Sequence, residues 1–306
     1  MSGPALVLVG PTASGKTETG IALATALGAE VVSVDSMLVY RGMDIGTAKP
    51  TTAQRRTVTH HLLDVAEPSE PFSVAAYQCL ARAVLDDIGA RGSRPLLVGG
   101  SGLYLRAVVD DLGFPGTDGE IRRDLERQAA ALGAGSMHRR LVAADPAAAA
   151  KIEPANVRRT VRALEVAAVT GRRFSSFASE WESYPAGRMR AVGIEVDRDT
   201  LARRIRARVA GMMDEGFQEE VRGLIARGLG DWLTSSQAIG YAELARHLQG
   251  RLSLDDAIAA MERRTTALAR RQMAWFRRDP RIRWIHAGDG GAIEVLDELL
   301  AELEAG

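Results

Sequence analysis

The chain has 306 residues, 39 Lys/Arg balanced by 39 Asp/Glu, 46% hydrophobic and 25% charged content. That composition supplies the core of one large or two modest domains, and zero net charge excludes a polycation holding nucleic acid by bulk charge. The single Cys79 excludes a disulfide framework and a cysteine-built zinc site, and no apolar run is long enough to cross a membrane. The chain enters a strand almost at once instead of a charged and then apolar leader, so a cytoplasmic setting is expected.

Ala5–Val9 is a short apolar run suited to a buried parallel strand. Gly10-Pro11-Thr12-Ala13-Ser14-Gly15-Lys16-Thr17 follows and fits G-x-x-x-x-G-K-[ST], and Glu18–Leu27 reads as a helix stopped by Gly28. Strand, glycine-rich loop and helix in this order are the context a P-loop needs, as in nucleotide- and ATP-binding proteins. The loop amides and the helix N-terminus attract an anion, Lys16 adds a charge, and Thr17 offers a hydroxyl to Mg²⁺. The chain is therefore expected to bind a phosphorylated ligand.

Ala29–Val34 reads as a second strand running into Asp35 and Ser36. Groups at the carboxyl ends of parallel strands line the ligand crevice, which places Asp35 at the phosphate site; alternatively it caps a helix beginning at Met37–Tyr40. A polar loop over 40–50 carries Lys49, one of only three lysines beside Lys16 and Lys151 in an otherwise arginine-based chain. Lysine so sparingly used marks Lys49 as a candidate site residue. His60-His61 with Leu62–Val65 reads as a short strand whose alternation points the two imidazoles apart, so packing or hydrogen bonding is expected of them, not metal. Phe72–Arg91 reads as a helix capped by Ser73 and stopped by Gly92.

Arg94–Gly100 is a third buried strand, and it ends in Gly99-Gly100-Ser101-Gly102 where a hydrolase would carry a Walker-B aspartate. Glycines there suit the approach of a bulky substrate, Ser101 can donate or accept at the mouth, and Asp35 remains as a base. ATP hydrolysis is therefore not expected. From 116 to 190 the texture turns helical, over Ile121–Leu132, His138–Ala144 and Val157–Val169, with 13 Lys/Arg against 9 Asp/Glu. Arg158, Arg159 and Arg162 share about one helical turn, an arrangement suited to a nucleic-acid backbone. Arg190–Val196 returns to strand, so 116–190 reads as an all-helical insertion in an α/β core formed by 1–115 and 191–306. Asp199–Arg227 is one or two helices with Arg204 and Arg208 on one face, able either to close over a diphosphate or to form surface salt bridges. Ser235–Glu243 is a loop-to-helix junction, Leu254–Arg278 a long arginine-rich helix, and Arg283–His286 a last edge strand.

Taken together, GPTASGKT at 10–17, DSMLVYRGMDIGTAKP at 35–50, HHLLD at 60–64, VGGSGLYLRA at 98–107, RALEV at 162–166, QAIGYAE at 237–243 and RRQMAWFRRD at 270–279 resemble the bacterial tRNA dimethylallyltransferases, or tRNA isopentenyltransferases. The blocks span nearly the whole chain in the family's order. Ser101 stands where the family more often has Thr, and Leu38 where many members have Gln. The resemblance implies a P-loop NTPase-like parallel sheet. It also implies transfer of a dimethylallyl group from dimethylallyl diphosphate to N6 of the adenosine 3′ of the anticodon, in tRNAs reading codons that start with U. Asp35, Lys16 and Ser101 would then be catalytic, with Mg²⁺ on Thr17. The P-loop residues, Arg204 and Arg208 would hold diphosphate. Asp35, Ser36, Met37, Leu38, Lys49, Ser101, Arg122, Arg158, Arg159 and Arg162 would contact the anticodon stem-loop. A monomer is expected. A P-loop small-molecule kinase also explains the loop and Asp35, but not the basic insertion or the long arginine-rich helix. A nucleotide-switched RNA-binding regulator lacks a use for Asp35, and prenylation of free adenine nucleotides remains as a third reading.

Overall fold

The computed structural model describes residues 4–232, 234–288 and 291–305, with backbone alone at 178–180. The chain divides into a sheet-bearing unit, 1–110 with 185–306, and a helical unit, 111–184. The sequence reading set those boundaries at 115/116 and 190/191.

The sheet-bearing unit begins with β1 (Ala5–Val9), α1 (Lys16–Leu27), β2 (Ala29–Val34), α2 (Thr52–Thr57) and β3 (His60–His61). It continues through α3 (Val74–Ala90), β4 (Arg94–Gly99) and α4 (Gly102–Val109). The helical unit supplies α5 (Gly119–Leu132), α6 (Ala134–Ala144), α7 (Pro146–Lys151), α8 (Val157–Thr170) and α9 (Ser175–Trp181). The chain then returns as β5 (Met189–Glu195), α10 (Arg198–Asp214), α11 (Phe217–Ala226), α12 (Tyr241–Leu248), α13 (Leu254–Phe276), β6 (Ile282–His286) and α14 (Leu296–Glu304).

The strands form one six-stranded sheet in the order β3-β2-β4-β1-β5-β6, every pairing parallel. Both faces are covered, which is why β1 is apolar at every position and buried throughout. Alternate residues serve opposite faces: Val7, Val9, Val32 and Val34 join the core under α3, α10 and α13, while Leu6, Leu8 and Val31 join the one with α1 and α14. Helix α1 ends at Gly28, whose φ of 59° is the left-handed turn the sequence anticipates. Ser73 caps α3 as expected, its side chain accepting from the Ala76 amide. The helical unit has its own core, built on Leu125, Met137, Leu141, Val161 and Leu164.

Two local readings need correction. The strand expected through Val65 stops at His61, because Leu62 and Asp64 take positive φ (62° and 57°). No helix begins at Met37; a turn stands there, closed by Asp35 Oδ1 accepting from the amides of Met37 (2.8 Å) and Leu38 (3.4 Å).

Candidate active site

The P-loop joins β1 to α1. Ala13 (φ 64°) and Gly15 (φ 93°) take left-handed conformations that curl the backbone over the helix N-terminus. No side chain caps α1, so its first-turn amides remain available to an anion. The Ser14 hydroxyl is buried within the loop without a hydrogen-bond partner among the described residues. Lys16 Nζ donates to the Pro11 carbonyl at 2.6 Å. Burial of this ammonium, with the Arg208 guanidinium nearby, lowers its pKa to about 7, and the Asp35 carboxylate opposes the shift only in part.

A cavity of about 350 Å³ opens at the carboxyl ends of the strands, within the sheet-bearing unit. This is the crevice that parallel α/β sheets form. Its wall holds four basic side chains, Lys16, Arg208, Arg264 and Arg271, and one carboxylate, Asp35. Thr12, Thr17, Ser36, Met37 and Leu38 also line it, and Ile205, Val209, Met212, Phe217 and Leu268 form an apolar side. The charge favours an anion and the apolar side favours a hydrocarbon group. Arg208 reaches the P-loop directly, its Nη1 donating to Thr12 Oγ1 at 3.3 Å, and burial lowers its pKa. Asp35 contributes one oxygen to its turn, and Oδ2 takes no part in that turn. His60 is in the wall too, bonded through Nδ1 to the Val58 carbonyl at 2.7 Å, and burial lowers its pKa. His61 instead pairs with Glu30 at 2.7 Å.

Glu220 of α11 fixes the loop after Asp35. It accepts from the amides of Asp44 and Ile45, each at 2.8 Å, from Gly46 at 3.2 Å and from the Tyr241 hydroxyl at 2.6 Å. Phe217, one turn earlier, packs so tightly on Gly46 that a Cβ there would lie 2.2 Å from its ring. Glycine is the residue that admits this wall.

Several expected site residues also hold bonds within the fold or stand outside this cavity. Lys49 is buried, and its Nζ donates to the Tyr40 carbonyl, Asp44 Oδ1 and Asp64 Oδ1, each at 2.6 Å. Those bonds use all three ammonium donors and leave none for RNA. Arg122 and Arg162 both bond the fully buried Glu165 of the helical unit, and Arg162 also donates to the Pro115 carbonyl at 2.6 Å. They brace α5 against α8. Arg204 and Arg208 face different cavities: Arg204 donates to the Gly288 carbonyl at 3.0 Å and lines a second, smaller cavity with Ala13 and Gly15 of the P-loop, while Arg208 lines the larger one. Ser101 precedes α4 without a side-chain cap bond, and the cavity wall includes Gly99 and Gly100 but not Ser101. The glycines after β4 make room for the protein itself: a Cβ on Gly99 would lie 2.0 Å from the Val34 carbonyl oxygen, and one on Gly102 1.9 Å from Trp275. Arg158 and Arg159 are exposed on the first turn of α8.

The face of α13 was missed by sequence reading. Met261, Arg264, Thr265, Leu268, Arg271 and Gln272 line the cavity at helical spacing, and Gln272 Oε1 accepts from the P-loop amide of Thr12 at 2.8 Å. The stripe mixes apolar and basic residues, so hydrophobic periodicity alone does not expose it.

The donor set fits Mg²⁺, which takes hard oxygen ligands, one or two from protein and the rest from phosphates and water. Thr17 and Asp35 are both in the cavity wall, and no cluster of three His, Cys, Asp or Glu among the described residues forms an all-protein metal cage.

A parallel sheet with a strand, P-loop and helix unit, and a cationic and partly apolar cavity at the carboxyl ends of its strands, defines a P-loop NTPase-like protein. The family model described as IPP transferase matches residues 38–279, and the chain belongs to that family. A tRNA dimethylallyltransferase of Pelotomaculum thermopropionicum is 43% identical over 305 residues, covering 99% of this chain and 97% of the relative. One of Salinispora arenicola is 50% identical over 292 residues, covering 95% and 85%. Among solved structures, the full-length tRNA isopentenylpyrophosphate transferase of Bacillus halodurans superposes with a TM-score of 0.72 at 40% identity, covering 99% of this chain and 97% of that one. A eukaryotic dimethylallyltransferase acting on tRNA gives 0.77 at 25% identity, covering 98% and 78%.

Proposed function

We infer that the chain is an enzyme transferring a dimethylallyl group from dimethylallyl diphosphate to tRNA. The observation that carries this reading is the cavity, with four basic side chains and one carboxylate beside an apolar side. Within it, the acceptor is N6 of the adenosine 3′ of the anticodon, in tRNAs reading codons that start with U. The N6 lone pair attacks C1 of the allyl group, the C1–O bond breaks, and diphosphate leaves with the electron pair. Asp35 takes the proton that N6 loses. Lys16, Arg208 and the amides at the start of α1 meet the charge growing on the leaving oxygen. Thr17 would hold Mg²⁺, which supplies further charge stabilisation to the diphosphate when bound. The apolar side receives the five-carbon chain.

Two surfaces support a polynucleotide acceptor over a free nucleotide. Arg158 and Arg159 oppose the dipole of α8 at its first turn, and neither has an ion-pair partner among the described residues. On α13, Arg271 and Trp275 stand at i and i+4, and Arg278 follows in the turn just past the helix, all three exposed. This pattern suits phosphates and one stacked base. Base extraction from the anticodon loop then brings the adenine to Asp35. No helix among the described residues is long and apolar enough to span a membrane; we place the enzyme in the cytoplasm, working as a monomer.

The test supplies dimethylallyl diphosphate with tRNA, with AMP, or with neither and analyses nucleosides by mass, and a parallel arm supplies ATP with small acceptors and follows phosphate transfer. N6-dimethylallyl adenosine in tRNA is the expected product. Product from AMP alone supports the free-nucleotide reading, and phosphate transfer from ATP to a small acceptor supports a kinase.

A further inference from the structure

We propose that Gln272 is a positioning residue for the diphosphate site, holding the rim of the P-loop from α13. This rests on the reading of the cavity given above. The carboxamide lies between the loops that follow the paired strands β1 and β4. Its Oε1 accepts from the Thr12 amide at 2.8 Å, across 260 residues of sequence. Its Nε2 lies over Gly100, where an added Cβ would come within 2.3 Å. One turn further along α13, Trp275 occupies the equivalent space over Gly102, where a Cβ would fall 1.9 Å from its ring. Helix α13 thus docks on the glycine turn after β4 through two side chains, and Gln272 continues through to the P-loop.

Thr12 is held at both polar groups, its amide by Gln272 and its hydroxyl by Arg208 at 3.3 Å. A P-loop binds anions by converging amides, so each amide must point at the ligand or be satisfied elsewhere. Gln272 satisfies the Thr12 amide outside the anion nest and fixes where the curl of Ala13–Gly15 begins. Arg208, bonded to the same residue, is set at the rim for the leaving group. Without Gln272 the Thr12 amide has no partner, and the loop is free to turn it inward and shift the nest.

The test replaces Gln272 with Met, of similar length but without the amide, in the full-length protein. KM for dimethylallyl diphosphate should rise about tenfold, and the Kd for inorganic diphosphate by a similar factor, with kcat and KM for tRNA within about threefold. Hydrogen exchange should quicken in the peptide containing Thr12 while that of α13 stays slow. Gly100→Ala forces the carboxamide aside without touching Gln272 and should give the same KM rise. Two results would overturn the proposal: unchanged diphosphate affinity in both variants, or a parallel loss of tRNA affinity and of protection throughout α13, which marks Gln272 as helix packing alone. If the wild-type protein makes no prenylated tRNA, the functional reading fails instead, and the diphosphate titration still decides the role of Gln272.

Discussion

At the residue scale, the two lysines that sequence reading singled out have opposite fates. Lys49 is a strut whose three acceptors come from the loop after β2 and from Asp64. Lys49→Met leaves Asp64 partly buried with only Arg55 to pair it, and should cost about 2 kcal/mol of stability in a urea titration. The salt dependence of tRNA binding should not change. Lys16 is the reactive member. With its pKa lowered to about 7, this ammonium is mostly neutral at pH 8, and a bound diphosphate raises it again. Affinity should therefore increase as pH falls from about 9 towards 7 and level off below that. Calorimetry in two buffers of different ionisation enthalpy should show about one more proton taken up at pH 8 by wild type than by Lys16→Met. Equal uptake would contradict the shift. The rarity of lysine drew attention to both positions; only their neighbours distinguish them.

At the scale of elements, β1, β2 and the P-loop were legible because each is contiguous. A strand buried on both faces is an apolar run, and the loop's chemistry lies in consecutive residues. The wall of α13 was not legible, since its function lies in which side of a long helix faces the sheet, a tertiary fact. The bracing of Arg122 was not legible for the same reason: its partner Glu165 is 43 residues away and fully buried, whereas Arg162 meets the same acid three residues along α8. The exposed pair on α8 keeps its proposed role. Replacing Arg158 and Arg159 with Gln should weaken tRNA binding and reduce the log–log salt slope by about one unit or less per lost phosphate contact. Filter binding across a salt series measures this, and an unchanged slope would assign both to solvent.

At the scale of the whole molecule, the sheet places chemistry from distant parts of the chain at one edge. Lys16 arrives from β1, Asp35 from β2, Arg208 from α10, and Arg271 and Gln272 from α13, all around one cavity. The helical unit has a core of its own. The central claim is that Asp35 is the base within this assembly, and Asp35→Asn tests it most directly. An asparagine oxygen can still accept from the amides of Met37 and Leu38, so the turn persists while the charge and the proton acceptor are lost. Single-turnover transfer to tRNA with both substrates saturating isolates the chemical step. This step should slow about 10²–10⁴-fold with tRNA and diphosphate affinities retained. Transfer at the wild-type rate would contradict Asp35 as the base.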